Sequence, residues 1–269
     1  MERGNRRRGR PKGFAGLKPG GTIQALDRAL DVVTALAGND GMTLSELAAQ
    51  LDQSAATMYR VLTTLERRAF VEINADRQEW YVGAEAYRIG SAFLRRTNVV
   101  ERSRPVMRTL MQETGETSNL GIEKDGNVLF ISQVETQESI RAFFPPGTLS
   151  PLHASGIGKA LLSAYDDAQL DRLFRNKTLQ QFTDKTIVSL TELREDLKQV
   201  RKRGFAFDDE ERKTGMRCVA SPVLNAHGDA VAGLSISGPA HRLTDDHVEK
   251  FGDLVRQGAL EVSRALGAT

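Results

Sequence analysis

Thr43 to Arg68, TLSELAAQLDQSAATMYRVLTTLERR, is the stretch whose reading decides the fold. It reads as two short helices with a tight break between them. The first carries Leu44, Leu47, Ala48 and Leu51 on one face. Thr43, with Glu46 three residues on, has the spacing at which side chain and backbone cap each other reciprocally. Ser54, a good N-cap, opens the second helix, where apolar residues recur at Met58, Val61, Leu62 and Leu65. The other side of that helix presents Thr57, Arg60, Thr63, Thr64 and Arg67, short hydroxyls and cations suited to phosphates and base edges. Such a pair suggests a DNA-binding helix-turn-helix, although a two-helix corner in any helical domain gives the same local pattern. The flanks arbitrate.

Upstream, Ile23, Leu26, Leu30, Val33 and Ala37 share one helical face, widened by Ala29 and Leu36, and Gly38-Asn39-Asp40-Gly41 stops that helix. Downstream, Phe70–Ile73 and Glu79–Val82 read as two short strands across a polar turn, with Val71, Ile73, Trp80 and Val82 expected on the core face. Three helices and a β-hairpin make a winged helix-turn-helix, expected over residues 22–82, and this favours DNA. Residues 83–98 follow as an amphipathic linker helix, with Tyr87, Gly90, Phe93 and Leu94 on one side and Arg88, Arg95 and Arg96 on the other. Its apolar side suits a second protomer, because palindromic operators call for two-fold dimers.

Charge supports the same polarity. Residues 1–98 hold 15 Lys/Arg against 11 Asp/Glu, whereas the remainder holds 22 against 24. Positive charge therefore gathers at the expected DNA end, mostly in residues 1–21, an Arg- and Gly-rich arm read as disordered. Within it, Arg8-Gly9-Arg10-Pro11-Lys12 has the pattern of an AT-hook, with Arg8 and Arg10 placed for a narrow minor groove. A solvated basic tail that only attracts phosphates explains the same residues. At 40% hydrophobic and 27% charged residues the chain supports a packed core. No apolar run approaches the ~20 residues of a membrane helix. The arm lacks the apolar stretch of a secretory signal, and the lone Cys218 fits a reducing compartment, so a cytoplasmic protein is expected.

Beyond residue 98 the grammar changes. A helix is expected from about Glu101 to Thr114, then strands at 119–122, 128–134 and 140–144. A Pro-rich loop (Pro145-Pro146-Gly147) leads to HASGIGKALLSAY and to a helix from about Leu190 to Arg203. Strands at 205–208, 217–224 and 230–237 precede a last helix from Asp245 to Leu266, announced by Thr244 with Asp245 and Asp246 in its first turn. About six strands with helices around them indicate an α+β sensor-type domain over 99–269, on a mostly antiparallel sheet.

Five segments in order resemble the IclR family of bacterial transcription regulators, over essentially the whole chain. They are Arg60-Val61-Leu62-Thr63-Thr64-Leu65, Leu152-His153-Ala154-Ser155-Gly156-Ile157-Gly158-Lys159-Ala160, Arg203 to Glu211 (RGFAFDDEE), Met216-Arg217-Cys218-Val219-Ala220 and Leu234-Ser235-Ile236-Ser237-Gly238-Pro239. The likeness is strongest to the founding branch, which regulates the glyoxylate bypass and responds to glyoxylate and pyruvate. The resemblance implies an N-terminal winged helix-turn-helix, a linker helix and a C-terminal GAF-like effector domain. It also implies dimers that pair into tetramers on a palindromic operator, and control by a small, often acidic metabolite. One departure stands out: where the family commonly has Gly-Leu-Pro/Ser-x-Ser-Thr, this chain has Asp52-Gln53-Ser54-Ala55-Ala56-Thr57. Asp52 can still take the left-handed turn conformation, but Ala56 removes a hydroxyl, so the operator cannot be copied from relatives.

For an acid effector, the amides of Gly156 and Ile157 open a helix whose dipole favours an anion, and Ser235 and Ser237 lie two apart on one strand face. The resemblance adds Asp208 and Cys218 at a polar end and Ile140, Ala142 and Met216 at an apolar one. Asp208 is awkward beside a carboxylate unless it accepts from water or from a hydrated aldehyde, or stays protonated through burial. Tight packing of the glycines and serines is the competing explanation. Gly156-Ile157-Gly158-Lys159 is not a phosphate loop, since His153 and Ala160 stand where Gly and Ser/Thr are needed. His153, His227, His241 and His247 lack the close pairing of a zinc site, and Asp208-Asp209 point to opposite strand faces, so neither metal, cofactor nor catalysis is expected. The DNA surface is expected at Ser54, Thr57, Met58, Tyr59 and Arg60. Together these readings describe a repressor, or a dual regulator, sensing a small 2-oxo acid. An activator that senses a different carboxylate or an aromatic acid, an enzyme using the C-terminal domain, and a sequence-blind architectural binder remain the alternatives.

Overall fold

The computed structural model describes residues 23–97 and 99–268, and for 93–97 the backbone alone. Arg8, Arg10 and the rest of the basic arm lie outside the described residues, as do the side chains of Phe93, Leu94, Arg95 and Arg96. The chain divides into two compact units between Arg95 and Arg96.

The first unit contains α1 (Gln24–Ala37), β1 (Met42–Thr43), α2 (Leu44–Gln50), α3 (Ala55–Glu66), β2 (Val71–Asn74), β3 (Glu79–Val82) and α4 (Ala84–Thr97). Local chemistry sets its breaks. Thr43 and Glu46 form the reciprocal capping box at the start of α2, and Ser54 Oγ accepts the Thr57 N–H at the start of α3. Asp52 takes a left-handed φ of 49° between them, which an Asp tolerates better than most residues. Val32, Leu36, Leu47, Met58, Leu62, Val71 and Trp80 form the core.

Two expectations change here. The buried side of α1 is Val32, Ala35 and Leu36, while Ile23, Leu26 and Leu30 stand 68%, 55% and 57% exposed. The wing buries Val71 and Trp80 but leaves Ile73 and Val82 half exposed, because strands of four residues place only one side chain each over the helices. Met42 pairs with Trp80, which makes the wing a three-stranded sheet of order β1-β3-β2.

The second unit contains α5 (Val99–Thr114), β4 (Thr117–Lys124), β5 (Asn127–Val134), β6 (Leu149–Pro151), a 3-10 turn at Leu152–Ala154, α6 (Gly156–Leu162), α7 (Asp167–Phe174) and α8 (Leu190–Arg203). Then follow β7 (Ala206–Asp209), β8 (Met216–Leu224), β9 (Ala230–Pro239) and α9 (Asp245–Ala265). The six strands form one antiparallel sheet, in the order β6-β5-β4-β9-β8-β7. Helices α5 and α9 cover one face: a Cβ on Gly258 of α9 would meet Val106 and Leu110 of α5 and Leu234 of β9 within 3.5 Å. On the other face α6 and α8 pack through Ile157, Leu161, Leu193, Leu197 and Val200 onto Val128, Phe130 and Ala206.

The strand expected over 140–144 is irregular chain, and the sheet's edge strand is Leu149–Pro151 instead. The apolar residues there serve packing instead, Ala142 by burial and Phe144 by stacking on Phe130 at 4.8 Å, and the two prolines that follow lack the N–H a ladder needs. Helix α7, which was not expected, begins with an Asp166–Gln169 capping box. Thr244 is the N-cap of α9, yet its side chain makes no cap hydrogen bond. Among the described residues no helix is long and apolar enough to cross a membrane.

Candidate DNA interface and effector cavity

Helix α3 sorts its residues by the 3.6-residue period. Met58 and Leu62 are fully buried, which removes Met58 from the expected DNA surface and makes it a core residue. Ser54, Tyr59 and Arg60 are exposed and Thr57 is half-buried, all on or beside the outward side. The Thr63 and Thr64 hydroxyls donate to the carbonyls of Tyr59 and Arg60 at 2.8 and 2.7 Å, so their first hydrogen bonds stay within the helix. A cleft of about 290 Å³ runs between α1 and α3, lined by Arg28, Thr57, Arg60, Val61 and Thr64 among others. It brings a second cation, Arg28, beside Arg60.

In the second unit the register of the sheet builds a polar row. Asp208 pairs with Cys218, Cys218 with Ser237 and Ser237 with Thr117, and directly paired residues share a face. All four lie on the α6 side. Ser235 is two residues from Ser237 on the same face, as its position on one strand requires. Asn119 donates to Ser237 Oγ at 3.3 Å and accepts from Gln133 Nε2 at 3.0 Å.

A cavity of about 290 Å³ opens over this row, lined by Phe144, Asp208, Arg212, Lys213, Met216, Arg217, Cys218 and Ser237. A recess of about 20 Å³ continues beneath it toward Gly156, Ile157 and Ser235. Seven of the nine residues expected at the effector site line these two spaces. Ile140 and Ala142 do not: Ile140 is 62% exposed with its carbonyl bound by Arg242, and Ala142 is buried. The glycines also serve packing. A Cβ on Gly156 would sit 2.7 Å from Cys218 Sγ, and one on Gly158 only 2.1 Å from the Leu152 carbonyl.

The floor is unevenly satisfied. Ser235 Oγ is wholly buried and makes no hydrogen bond of ordinary geometry. Cys218, which the two serine hydroxyls approach, is pushed up to about 12 by burial and by the charge of Asp208, so it is a neutral thiol and a weak hydrogen-bonding group. At the mouth Arg217 is occupied by Asp209 and Asp245 at 2.7 and 2.9 Å. Among the described residues, Arg212 stacks on Phe182 at 3.9 Å and neither it nor Lys213 forms an ion pair. Arg212, Lys213 and Phe144 escaped the sequence reading. Their only signal there was proximity to Glu211 and to Pro145.

Behind Asp208 lies a cluster that the sequence did not disclose. Lys159 of α6 is 1% exposed, and its ammonium reaches Glu211 Oε1, the Phe207 carbonyl and, at 3.2 Å, Asp196 of α8. Burial pulls this ammonium down, and Glu211 and Asp196 together pull it up further, leaving it above the usual lysine value. Asp208 accepts the Glu211 N–H at 2.8 Å. Asp209, its neighbour, faces the other way and holds Lys185 and Arg217. The histidines are dispersed: His153 bonds the Gln180 carbonyl at 2.9 Å and His247 the Arg242 carbonyl at 2.9 Å.

A winged helix-turn-helix in the first unit and an α+β unit with a polar cavity in the second are the architecture of a DNA-binding transcription regulator. Residues 25–74 match the family described as "IclR helix-turn-helix domain" and residues 91–264 the one described as "Bacterial transcriptional regulator IclR C-terminal". The HTH-type transcriptional regulator BhcR of Paracoccus denitrificans is 51% identical over 261 residues, spanning 96% of this chain and 94% of its own. The transcriptional repressor IclR of Escherichia coli is 39% identical, over 97% and 96% of the two chains. The crystal structure of Thermotoga maritima IclR aligns with a TM-score of 0.76 at 30% identity, covering 91% of this chain and 99% of that one. The chain belongs to the IclR family of bacterial transcriptional regulators, and its helix-turn-helix is a DNA-binding one.

Proposed function

We propose that this regulator represses genes of small-acid metabolism and that a 2-oxo monocarboxylate such as glyoxylate or pyruvate, seated over Asp208, Cys218, Ser235 and Ser237, changes its grip on a palindromic operator. One observation carries the effector reading. Ser235 presents a fully buried hydroxyl whose one polar neighbour is the weakly hydrogen-bonding Cys218 thiol, in a recess that opens to a cavity rimmed by two unpaired cations. A buried polar atom left unpaired is costly, and a small acid with two or three acceptor oxygens would satisfy it. Arg212 and Lys213 would hold the carboxylate, while Phe144 and Met216 flank the carbon skeleton.

In the reading unit, Ser54, Thr57, Tyr59 and Arg60 take the DNA contacts, with Arg60 on a phosphate or a guanine edge. The basic arm, with Arg8 and Arg10, adds attraction for the backbone. The exposed stripe Ile23, Leu26 and Leu30 on α1, together with Tyr87 and Ile89 on α4, supports assembly with a second copy through the helices of residues 22–98. On this reading residues 83–98 are the linker between reader and sensor, and two dimers associate on the operator. Similarity to a protein named as a repressor favours repression.

Calorimetry on the full chain tests the effector reading. Glyoxylate or pyruvate should bind, and the paired change Ser235→Ala with Ser237→Ala should weaken binding at least tenfold. Undiminished affinity in that variant would remove the effector from this cavity.

A further inference from the structure

The ring of charge around Asp208 is out of balance. Against Asp208 stand Lys159 from α6 and the backbone N–H groups of Glu211 and Arg212 from the turn after β7, with the Cys218 thiol beside it on β8; Asp196 of α8 joins through Lys159 and Glu211, and the Arg212, Lys213 and Arg217 side chains line the cavity in front. Asp209 on its own strand is turned outward and is neutralised by Lys185 and Arg217. One buried ammonium thus serves three carboxylates, Asp196, Asp208 and Glu211. Glu211 Oε2 is buried without any hydrogen-bond partner, which is unfavourable for a fully ionised carboxylate. Of the three, Asp208 is the one that also lines the cavity.

A carboxylate entering that cavity adds a further negative charge against Asp208, which is itself buried at its floor. Arg212 and Lys213 at the rim offset the effector's charge only in part, and a proton shared between the effector and Asp208 relieves the remaining repulsion and makes one of them a hydrogen-bond donor. We propose that the cavity takes up its carboxylate effector together with one proton from solvent, which rests on Asp208 and turns this side chain into a donor to the effector, with Lys159 as the positioning residue that keeps the cluster assembled. This rests on the effector reading above. It is consistent with the direction of titration: burial raises Asp208 to about 6 and Glu211 to about 7, against the lowering effect of Lys159. The site is therefore poised to gain a proton near neutral pH. It also favours monocarboxylates whose second oxygen can accept, over ligands bearing an additional group that only donates.

The test is calorimetry of pyruvate binding to the full chain at pH 7.5 in phosphate, HEPES and Tris, buffers with different ionisation heats. The observed heat should vary linearly with buffer heat, with a slope between one half and one proton taken up. Affinity should fall up to about tenfold per pH unit above pH 7 and level off below about 6, as linkage requires for a single proton. Asp208→Asn should abolish the slope and bind pyruvate more tightly than the unsubstituted chain at pH 8.5. Heat that is independent of buffer in the unsubstituted chain, or a slope that survives Asp208→Asn, overturns the proposal. If that variant does not fold, the buffer series on the unsubstituted chain decides by itself. If pyruvate, glyoxylate and benzoate all give no heat at any pH, the effector reading fails and this proposal with it; binding without proton uptake defeats the proton alone.

Discussion

The two faces of the six-stranded sheet are built from the same strands and do opposite things. On β9, Leu234 and Ile236 point toward α5 and α9 and are completely buried among apolar neighbours, whereas Ser235 and Ser237 point toward α6 and the cavity. The first face spends its burial on stability. The second buries hydroxyls, a thiol and the three charged groups Lys159, Asp208 and Glu211, which contribute little net stability. Sheet alternation alone separates an apolar packing surface from the polar cavity floor over a single residue step.

Substitutions on the two faces sharpen this contrast. The largest effect is expected from Lys159→Met, which strands Glu211 and Asp196 without their cation; loss of one partner from a buried cluster costs about 3–5 kcal/mol. The deficit should depend on pH. Asp208 and Glu211 have folded-state values raised above the unfolded ones, so their protonated forms favour the fold and stability declines as pH rises from about 4 through about 7. Without Lys159 both are raised further, so the variant should lie nearer the unsubstituted chain at pH 5 than at pH 8 in thermal melts. An equal deficit at both would mean that the cluster is not what the lysine supports.

On the apolar face, Leu234→Ala should cost about 3 kcal/mol in denaturant unfolding at any pH, with the effector response intact in what remains folded. Ser235→Ala, one residue away, should change stability by less than about 1 kcal/mol, because it removes a buried hydroxyl whose polar neighbour is only the weak Cys218 thiol, while weakening effector binding. If the stability losses of these two neighbours prove alike, the division of labour between the faces is wrong. The smallest effect on stability is expected at the exposed stripe of the first unit. Leu26→Glu with Leu30→Glu should barely move the melting curve yet should shift the mass measured by light scattering toward the monomer. An unchanged mass would exclude α1 from the self-contact.

Legibility in the sequence followed the same division. The helix-turn-helix was readable because its caps, Thr43 with Glu46 and Ser54, act over three residues, and the wing because its strands lie a short turn apart. The sense of α1 was not: its period admits two apolar faces, and only the packing of α2, α3 and β3 selects Val32 and Leu36 over Leu26 and Leu30. Residues 140–144 read as a strand because a short apolar run between turn signals looks the same whether its side chains stack and bury singly, as Phe144 and Ala142 do, or pair in a ladder. Helix α7 was missed although Asp166 with Gln169 carries the same capping spacing as Thr43 with Glu46, since a helix of 8 residues shows little period.

At the cavity, Ser235 with Ser237 is a local fact that any strand assignment gives, and the row Asp208–Cys218–Ser237 follows only from the register. The Lys159, Asp196 and Glu211 cluster unites residues dozens of positions apart, and nothing local announces it.

The most direct measurement is gel retardation of the promoter fragment upstream of the protein's own gene, with glyoxylate or pyruvate titrated against the full chain. Discrete, salt-sensitive binding should appear and should be lost in Arg60→Ala. The acid should shift operator affinity by about 5- to 150-fold in the unsubstituted chain, the range of ordinary allosteric coupling, and by much less with Ser235→Ala and Ser237→Ala. Operator binding that no small acid alters, or that the paired serine change leaves equally responsive, would contradict the account.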